Sequence, residues 1–364
     1  MSAGTGVGVA EGYRRLRVAA IVDETADAKS IVFDLPPPER AAFAYQPGQF
    51  VTLRLPIAGQ VRLRCYSMSS APALDEGLRV TVKRVAGGRA SNWICERLRV
   101  GDEVEMLPPA GAFTPRSLDG DFLLLAAGSG ITPVWSILRS VLAGGSGRVA
   151  LFYANRDERS VIFRAELAEL AAAHPRRLAV VHWLDSVQGV PSTAQLAGQL
   201  EAWARPWPAA RAYICGPAPF RDAACLALAA IGVADDAVHV ERYASLPDEV
   251  DAGAATDGSA AAAAESPAAA TAAPARVRLR LDGRDHEFDC RGGETLLDAA
   301  VREGIAAPHA CRAGVCGACM CQLVEGQATM RHNEALDAKD LARGWILACQ
   351  ATPASAQLTV KYPG

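Results

Sequence analysis

Four cysteines, Cys311, Cys316, Cys319 and Cys349, stand in the spacing C-x4-C-x2-C-x29-C. Thiolates are soft metal ligands, and three from one tight loop joined by a fourth from a distant segment is the donor set of a [2Fe–2S] cluster. Gly314 and Gly317 lie inside that loop, where glycine lets the backbone wrap closely and aim N–H groups at sulfur. Zinc is the rival, but structural zinc usually draws on two C-x2-C pairs and only Cys316–Cys319 is such a pair here. Buried thiols that bind nothing are the plainer alternative. Of the ten cysteines, Cys65, Cys95, Cys225, Cys290 and Cys321 read as packing residues. His309, two residues before the first thiol, is left out because four thiols already complete the set.

Three other groupings have chemistry of their own. Arg64-Cys65-Tyr66-Ser67-Met68-Ser69-Ser70 ends a strand-like run with a guanidinium, a flat aromatic ring and a hydroxyl, which suit a pyrophosphate and a flavin ring system. Gly87-Gly88-Arg89-Ala90-Ser91-Asn92 is a glycine-rich turn opening a helix, and helix N-termini bind phosphate. Gly128-Ser129-Gly130-Ile131-Thr132-Pro133 directly follows an apolar strand. It departs from G-x-G-x-x-G because Pro133 takes the sixth place, and alone it is also a tight strand-to-helix turn with proline in the first helical turn.

These groups need elements to hold them. Residues 13–115 show short alternating runs, such as Gln49–Leu55 and Leu78–Lys83, bounded by Pro, Gly or Asp, the pattern of an antiparallel barrel. Residues 120–245 change to strand then helix. Phe122–Ala127, Val149–Tyr153, Leu178–Trp183, Ala212–Cys215 and Val238–Glu241 suit buried parallel strands, with helices such as Val161–Ala173 and Pro219–Ala230 between them, giving a doubly wound α/β domain. From Asp251 to Ala275, 14 of 25 residues are alanine, broken by Gly253, Gly258, Pro267 and Pro274. That composition predicts a flexible linker spanning on the order of 25–30 Å. Beyond it, Arg276–Phe288 reads as a hairpin around Asp282-Gly283, followed by a helix over Thr295–Glu303. The expected limits are 11–116, 117–246, a linker over 247–275, and 276–364.

Composition narrows the class of function. The 364 residues carry 37 basic and 40 acidic side chains, a net charge of −3, which argues against nucleic acid as a partner. No apolar run approaches the ~18 residues that cross a bilayer. No export signal is visible at the N-terminus, so a reducing, cytoplasmic setting is expected and the cysteines are not a disulfide framework.

Taken in order, Arg64–Ser70, the turn at 87–92, Gly128–Pro133 and Cys215-Gly216-Pro217 resemble the motifs of the ferredoxin–NADP reductase superfamily. Arg64–Ser70, Asp121–Pro133, Tyr153–Asp157, Ser160–Phe163, His182–Leu184 and Ile214–Pro217 together look like its oxygenase reductase components, those of 3-ketosteroid 9α-hydroxylase and also of phenylacetyl-CoA epoxidase. The likeness covers nearly the whole chain; the long alanine-rich linker departs from it. It implies an FAD-binding barrel, an NAD-binding α/β domain and a β-grasp [2Fe–2S] ferredoxin domain. It also implies a relay from a hydride donor through flavin to a one-electron cluster. Arg64, Tyr66, Ser67, Lys83, Gly88, Ala90 and Ser91 would hold FAD, with Tyr66 on the ring and Ser67 near N5. Gly128, Gly130, Thr132, Pro133, Asn155, Arg156, Gly216 and Pro217 would hold the nicotinamide dinucleotide. Ser67, Cys215 (beside the nicotinamide) and Glu241 (closing over the flavin) are the expected catalytic residues; a surface carboxylate is Glu241's alternative. Arg156 would favour NADPH and Asp157 would oppose it; NADH is expected, with NADPH as the alternative. The expected acceptor is a terminal oxygenase, a Rieske-type steroid hydroxylase first, an acyl-CoA epoxidase or aromatic-ring hydroxylase next. A redox-sensing iron–sulfur protein is the competing class.

Overall fold

The structure is a computed structural model and describes residues 12–241, 274–314, 316–333, 335–336 and 338–363. Residues 12–85 and 89–241 belong to one compact unit and the residues from 274 onward to another. Most of the expected linker lies outside the described residues.

The alternating runs of the first part become six antiparallel strands: β1 (Arg14–Thr25), β2 (Ala28–Phe33), β3 (Phe50–Ile57), β4 (Gln60–Ser67), β5 (Leu78–Lys83) and β6 (Glu103–Ala110). Their order is β4-β3-β6-β1-β2-β5. A bridge between Met68, just past β4, and Val80 in β5 links the outer strands and closes the sheet into a barrel. The β3–β4 hairpin turns on Ala58 and Gly59, both at positive φ, the geometry that a two-residue turn demands. Inside lie Val18, Ile31, Phe33, Val51, Leu53, Val80 and Met106. Helix α1 (Arg89–Arg97) adds Ala90, Ile94 and Cys95 to that core, one helical face.

Next comes a parallel sheet of β7 (Phe122–Ala127), β8 (Val149–Asn155), β9 (Leu178–Leu184), β10 (Arg211–Cys215) and β11 (Val238–Glu241), in the order β11-β10-β7-β8-β9. Its apolar runs are continuous because both faces are covered. Phe122, Leu124 and Ala126 meet α2 (Ile131–Gly144) and α3 (Arg164–Ala173); Leu123, Leu125 and Ala127 meet α4 (Thr193–Ala204) and α5 (Ala218–Ala230). One expectation is corrected: the helix expected from Val161 begins at Arg164. Residues 158–160 form a single tight turn, and Phe163 sits at φ 59°, where a helix cannot run through it. Strand β7 feeds β8 on one side and β10 lies on the other, so the order reverses between β7 and β10. That switch point opens a crevice at the carboxyl ends of the strands.

The last unit is a mixed sheet ordered β13-β12-β18-β14-β16. It is made of β12 (Ala275–Leu281), β13 (Arg284–Cys290), β14 (Met320–Glu325), β16 (Trp345–Leu347) and β18 (Gln357–Lys361), with β15 (Ala328–Met330) and β17 (Ala351–Pro353) paired apart. Among the described residues of this sheet, only β12 and β18 pair in parallel. Ala275, assigned to the linker on composition, is instead the buried first residue of β12, paired with Cys290. The hairpin turns on Asp282 and Gly283, both at positive φ. Helix α6 (Leu296–Arg302) is capped by Thr295, whose hydroxyl accepts from the Asp298 N–H, and lays Leu296, Leu297, Ala299 and Ala300 on the sheet core. A helix grasped by such a sheet is the β-grasp fold. Among the described residues no helix is long and apolar enough to cross a membrane.

Candidate functional site

The cysteine loop leaves α6 and returns into β14. Four of its backbone N–H groups point at sulfur. Those of Ala313 and Cys316 lie 3.3 and 3.4 Å from Cys311 Sγ, and those of Cys311 and Ala318 both 3.4 Å from Cys316 Sγ. Gly314 makes this possible. It sits at φ +74°, and a Cβ there would stand 2.7 Å from the His332 carbonyl. Cys319 and Cys349 form a second pair. The hydrogen bond from Cys319 holds the Cys349 thiol down, with help from the Gly314 N–H and the Gln350 amide; the same bond and burial push Cys319 up. Four sulfurs around one loop, surrounded by N–H donors, fit a cluster whose negative charge rests on sulfur. Among the described residues no group of three or more His, Cys, Asp or Glu side chains is drawn together closely enough to hold a single metal ion. Cys321, expected to be a bystander, is wholly buried in β14, and burial pushes its thiol up to about 12.

At the switch point the two glycine turns touch. A Cβ on Gly130 would lie 2.2 Å from the Cys215 carbonyl oxygen and 2.8 Å from the Gly216 nitrogen, so only glycine lets these segments meet. Tyr153 holds the first turn, its hydroxyl donating to the Gly128 carbonyl at 3.1 Å. The Thr132 hydroxyl donates to the Ser129 carbonyl at 3.1 Å, and α2 starts here with the Ile131 N–H bonded to the Gly128 and Ser129 carbonyls and Pro133 in its first turn. Cys215 is buried, and burial pushes its thiol well up, with the Glu241 carboxylate adding to the effect and Arg221 opposing it. The thiol is therefore neutral and apolar in character rather than nucleophilic. Glu241 is its cross-strand partner in β11, and the Glu241 carbonyl accepts from Arg221 at 3.2 Å.

Asn155 ends β8, at its carboxyl end, and Arg156 follows it. Asn155 is buried beside the Tyr153 hydroxyl. Arg156 is exposed, yet its guanidinium lies 3.5 Å from Asp27, 3.6 Å from Asp157 and 3.2 Å from the Ser160 hydroxyl. The Ser160 hydroxyl, backed by Arg156, keeps Asp157 below the usual carboxylate range. Two carboxylates thus face the Arg156 guanidinium.

In the barrel, β4 alternates. Arg64 and Tyr66 stand half-buried on one face, while Cys65 and Ser67 are buried on the other. A cation and a flat ring two residues apart on one half-open face fit a flavin dinucleotide. Gly88 lies in the turn before α1; Ala90 and Ser91 are buried in its first turn, where the Ser91 hydroxyl accepts from the Val85 N–H at 3.1 Å. Lys83 ends β5 with its Nζ 3.8 Å from Asp27.

Sequence motifs gave no hint of what joins the two crevices. The Ser136 hydroxyl on α2 donates to the Ser70 carbonyl at 2.6 Å, and Arg139 forks onto Asp75 at 2.5 and 2.9 Å. Arg79 reaches Glu166 at 3.1 Å and lies 5.1 Å over the Phe163 ring. Tyr45 donates to the Ser70 hydroxyl at 2.7 Å. The helix that begins at the glycine turn is thereby pinned to the end of the Arg64–Ser70 segment. Its sequence trace is slight, because Ser136 and Arg139 stand beside Thr132 and Ser140 in a helix whose other residues are apolar and nothing marks the pair that reaches across.

Family models match the chain in three places: an oxidoreductase FAD-binding domain over residues 15–114, an oxidoreductase NAD-binding domain over 124–226, and a 2Fe-2S iron-sulfur cluster binding domain over 279–354. The protein is thus an NAD- and FAD-dependent oxidoreductase carrying a [2Fe–2S] domain. It is 46% identical over 366 residues to the ferredoxin reductase component of 3-ketosteroid-9-alpha-monooxygenase from Rhodococcus rhodochrous, covering 98% of this chain and 100% of the relative. It is 33% identical to one of the polypeptides of 1,2-phenylacetyl-CoA epoxidase from Escherichia coli, covering 96% and 98%. Among solved structures, phthalate dioxygenase reductase shares the fold, with a TM-score of 0.57 at 24% identity over 96% of this chain and 98% of the other. The chain belongs to the family of ferredoxin reductase components of monooxygenases.

Proposed function

We propose that this chain is the reductase component of a Rieske-type 3-ketosteroid 9α-hydroxylase, carrying electrons from NADH to that terminal oxygenase. The observation that carries the choice of oxygenase is the full-length identity: 46–47% to four such reductase components against 33% to the epoxidase polypeptide. A di-iron acyl-CoA epoxidase is the second reading, on that 33% relation. When bound, the flavin accepts two electrons from a nicotinamide and hands them singly to the cluster. The domain limits we propose are 11–116, 117–246 and 275–364, with the tether between the last two. Free thiols suit a reducing, cytoplasmic setting.

The residues divide the work. The α2 N-terminus with Gly128, Gly130, Thr132 and Pro133 binds the dinucleotide's phosphates; Gly216, Pro217 and the neutral Cys215 thiol shape an apolar wall for the nicotinamide ring. Asn155 and the compensated Arg156 face the ribose, and Asp27 with Asp157 disfavours a 2′-phosphate by like-charge repulsion. Arg64, Lys83, Gly88, Ala90 and Ser91 bind the flavin's pyrophosphate, Tyr66 packs on its ring, and Ser67 stands near its reacting edge. Glu241 closes that side and excludes water. Cys311, Cys316, Cys319 and Cys349 hold the cluster.

The test is reconstitution. The purified protein with a 3-ketosteroid 9α-hydroxylase oxygenase should support NADH-driven 9α-hydroxylation, and kcat/KM should be higher for NADH than for NADPH. Failure with that oxygenase and turnover with an acyl-CoA epoxidase would select the second reading. A higher kcat/KM for NADPH would overturn the role given to Asp27 and Asp157.

A further inference from the structure

Gln350 follows the fourth thiol and precedes β17, and its side chain reaches back across 38 positions to the cysteine loop. Its amide Nε2 donates to the Arg312 carbonyl at 2.8 Å and to Cys349 Sγ at 3.7 Å. A carboxamide nitrogen carries two hydrogens, so one group can serve an oxygen and a sulfur at once. Both neighbours are acceptors, which is why the nitrogen of the amide and not its oxygen faces them. The Gln350 backbone is fixed as well. Its N–H donates to the Leu347 carbonyl at 2.9 Å, and its carbonyl accepts from the Arg331 N–H at 3.1 Å. The residue it grips is a strained one. Arg312 sits at φ 52°, a left-handed conformation that a residue with a Cβ adopts at a cost. Its guanidinium gives little help, since the Asp298 carboxylate is 3.7 Å away and both side chains are roughly half exposed. The stem of Gln350 also lies against the loop, for a Cβ on Gly314 would stand 3.0 Å from its Cγ.

We propose that Gln350 is a positioning residue for the cluster, locking the three-thiol loop to the segment of the fourth thiol through that one amide nitrogen. It thereby slows loss of the cluster and raises the potential at which the centre takes up an electron. This rests on the assignment of the four cysteines as cluster ligands. The two effects have separate causes. The hold on Arg312 keeps the left-handed turn next to Cys311 from relaxing and carrying that thiolate away from the other three. The N–H on Cys349 Sγ favours the reduced centre, whose extra negative charge is spread over sulfur. A role in packing alone would need neither hydrogen.

The experiment uses the full-length holoprotein and two variants of nearly unchanged size: Gln350→Met, which donates nothing, and Gln350→Glu, which turns an acceptor toward both partners. Visible and EPR spectra come first: a wild-type protein without a [2Fe–2S] signal would fail the ligand assignment and not this proposal. In excess EDTA, the visible absorption of Gln350→Met should decay about tenfold faster than that of the wild type. Redox titration should show the same variant harder to reduce by roughly tenfold in the equilibrium constant, which is about 59 mV for one electron. Gln350→Glu should go further in both measurements. Arg312→Gly isolates the hold, because glycine takes the left-handed turn unaided. In that background Gln350→Met should speed decay by roughly twofold or less while still lowering the potential. If Gln350→Met assembles no cluster beside Arg312, it should do so in the Arg312→Gly protein; failure in both would overturn the proposal. So would a methionine variant with the wild-type decay or the wild-type potential, or an equal acceleration of decay with and without Arg312.

Discussion

The cluster loop and the switch-point turns are both sites made by tight backbone, and they are made in opposite ways. In the loop the chemistry belongs to side chains, and the backbone serves them by aiming N–H groups at Cys311 and Cys316. At the switch point the chemistry belongs to the backbone, and the decisive property of Gly130 is the absence of a side chain. The first kind of site is lost by removing an atom, the second by adding one.

The sharpest way to probe that contrast is Cys316→Ser. It should abolish the [2Fe–2S] spectrum and NADH-driven transfer to an oxygenase, while ferricyanide reduction at the flavin persists; an intact spectrum would remove Cys316 from the ligand set. Gly130→Ala is the mirror experiment. With 2.2 Å between the added carbon and the Cys215 carbonyl, the two turns must part, and a shift of about 1 Å at a reacting site costs on the order of 100-fold in rate. Turnover with NADH should fall by that much while dithionite still reduces the cluster. A normal kcat/KM would show that the turns need not touch. The smallest effect concerns the strut between them and the flavin strand. Burial alone would raise the Asp75 carboxyl, but the Arg139 fork and the Ala71 N–H outweigh it and hold it below its ordinary value. A carboxyl depressed by folding adds stability above its unfolded pKa and loses it as pH falls through the folded value. Asp75→Asn should therefore lower the melting temperature by a few degrees at pH 7, and the gap to wild type should close as pH drops below about 4. A constant gap would mean that the fork contributes packing rather than charge.

Legibility in the sequence followed the same division. Cysteine spacing survives as a pattern of residue types, so a [2Fe–2S] domain could be read from Cys311, Cys316, Cys319 and Cys349, and the matched domain spans them. The parallel strands were visible because burial on both faces leaves continuous apolar runs such as Phe122–Ala127. The helix start at Arg164 was not visible, since nothing in Val161-Ile162-Phe163 marks a left-handed phenylalanine. Ser136, Arg139 and Asp75 were equally hidden: their partners lie on another domain, and a hydrogen bond across 64 or more positions leaves no local periodicity.

The parallel pairing of β12 with β18 has a consequence for biosynthesis. Arg276 finds its ladder partner only when Gln357 has been made, and Cys319 lies between them. Cys311, Cys316 and Cys319 are thus all made before the sheet that supports their loop can close. The fold of this unit waits on its last strand, so pairing across that sequence separation comes late in its formation.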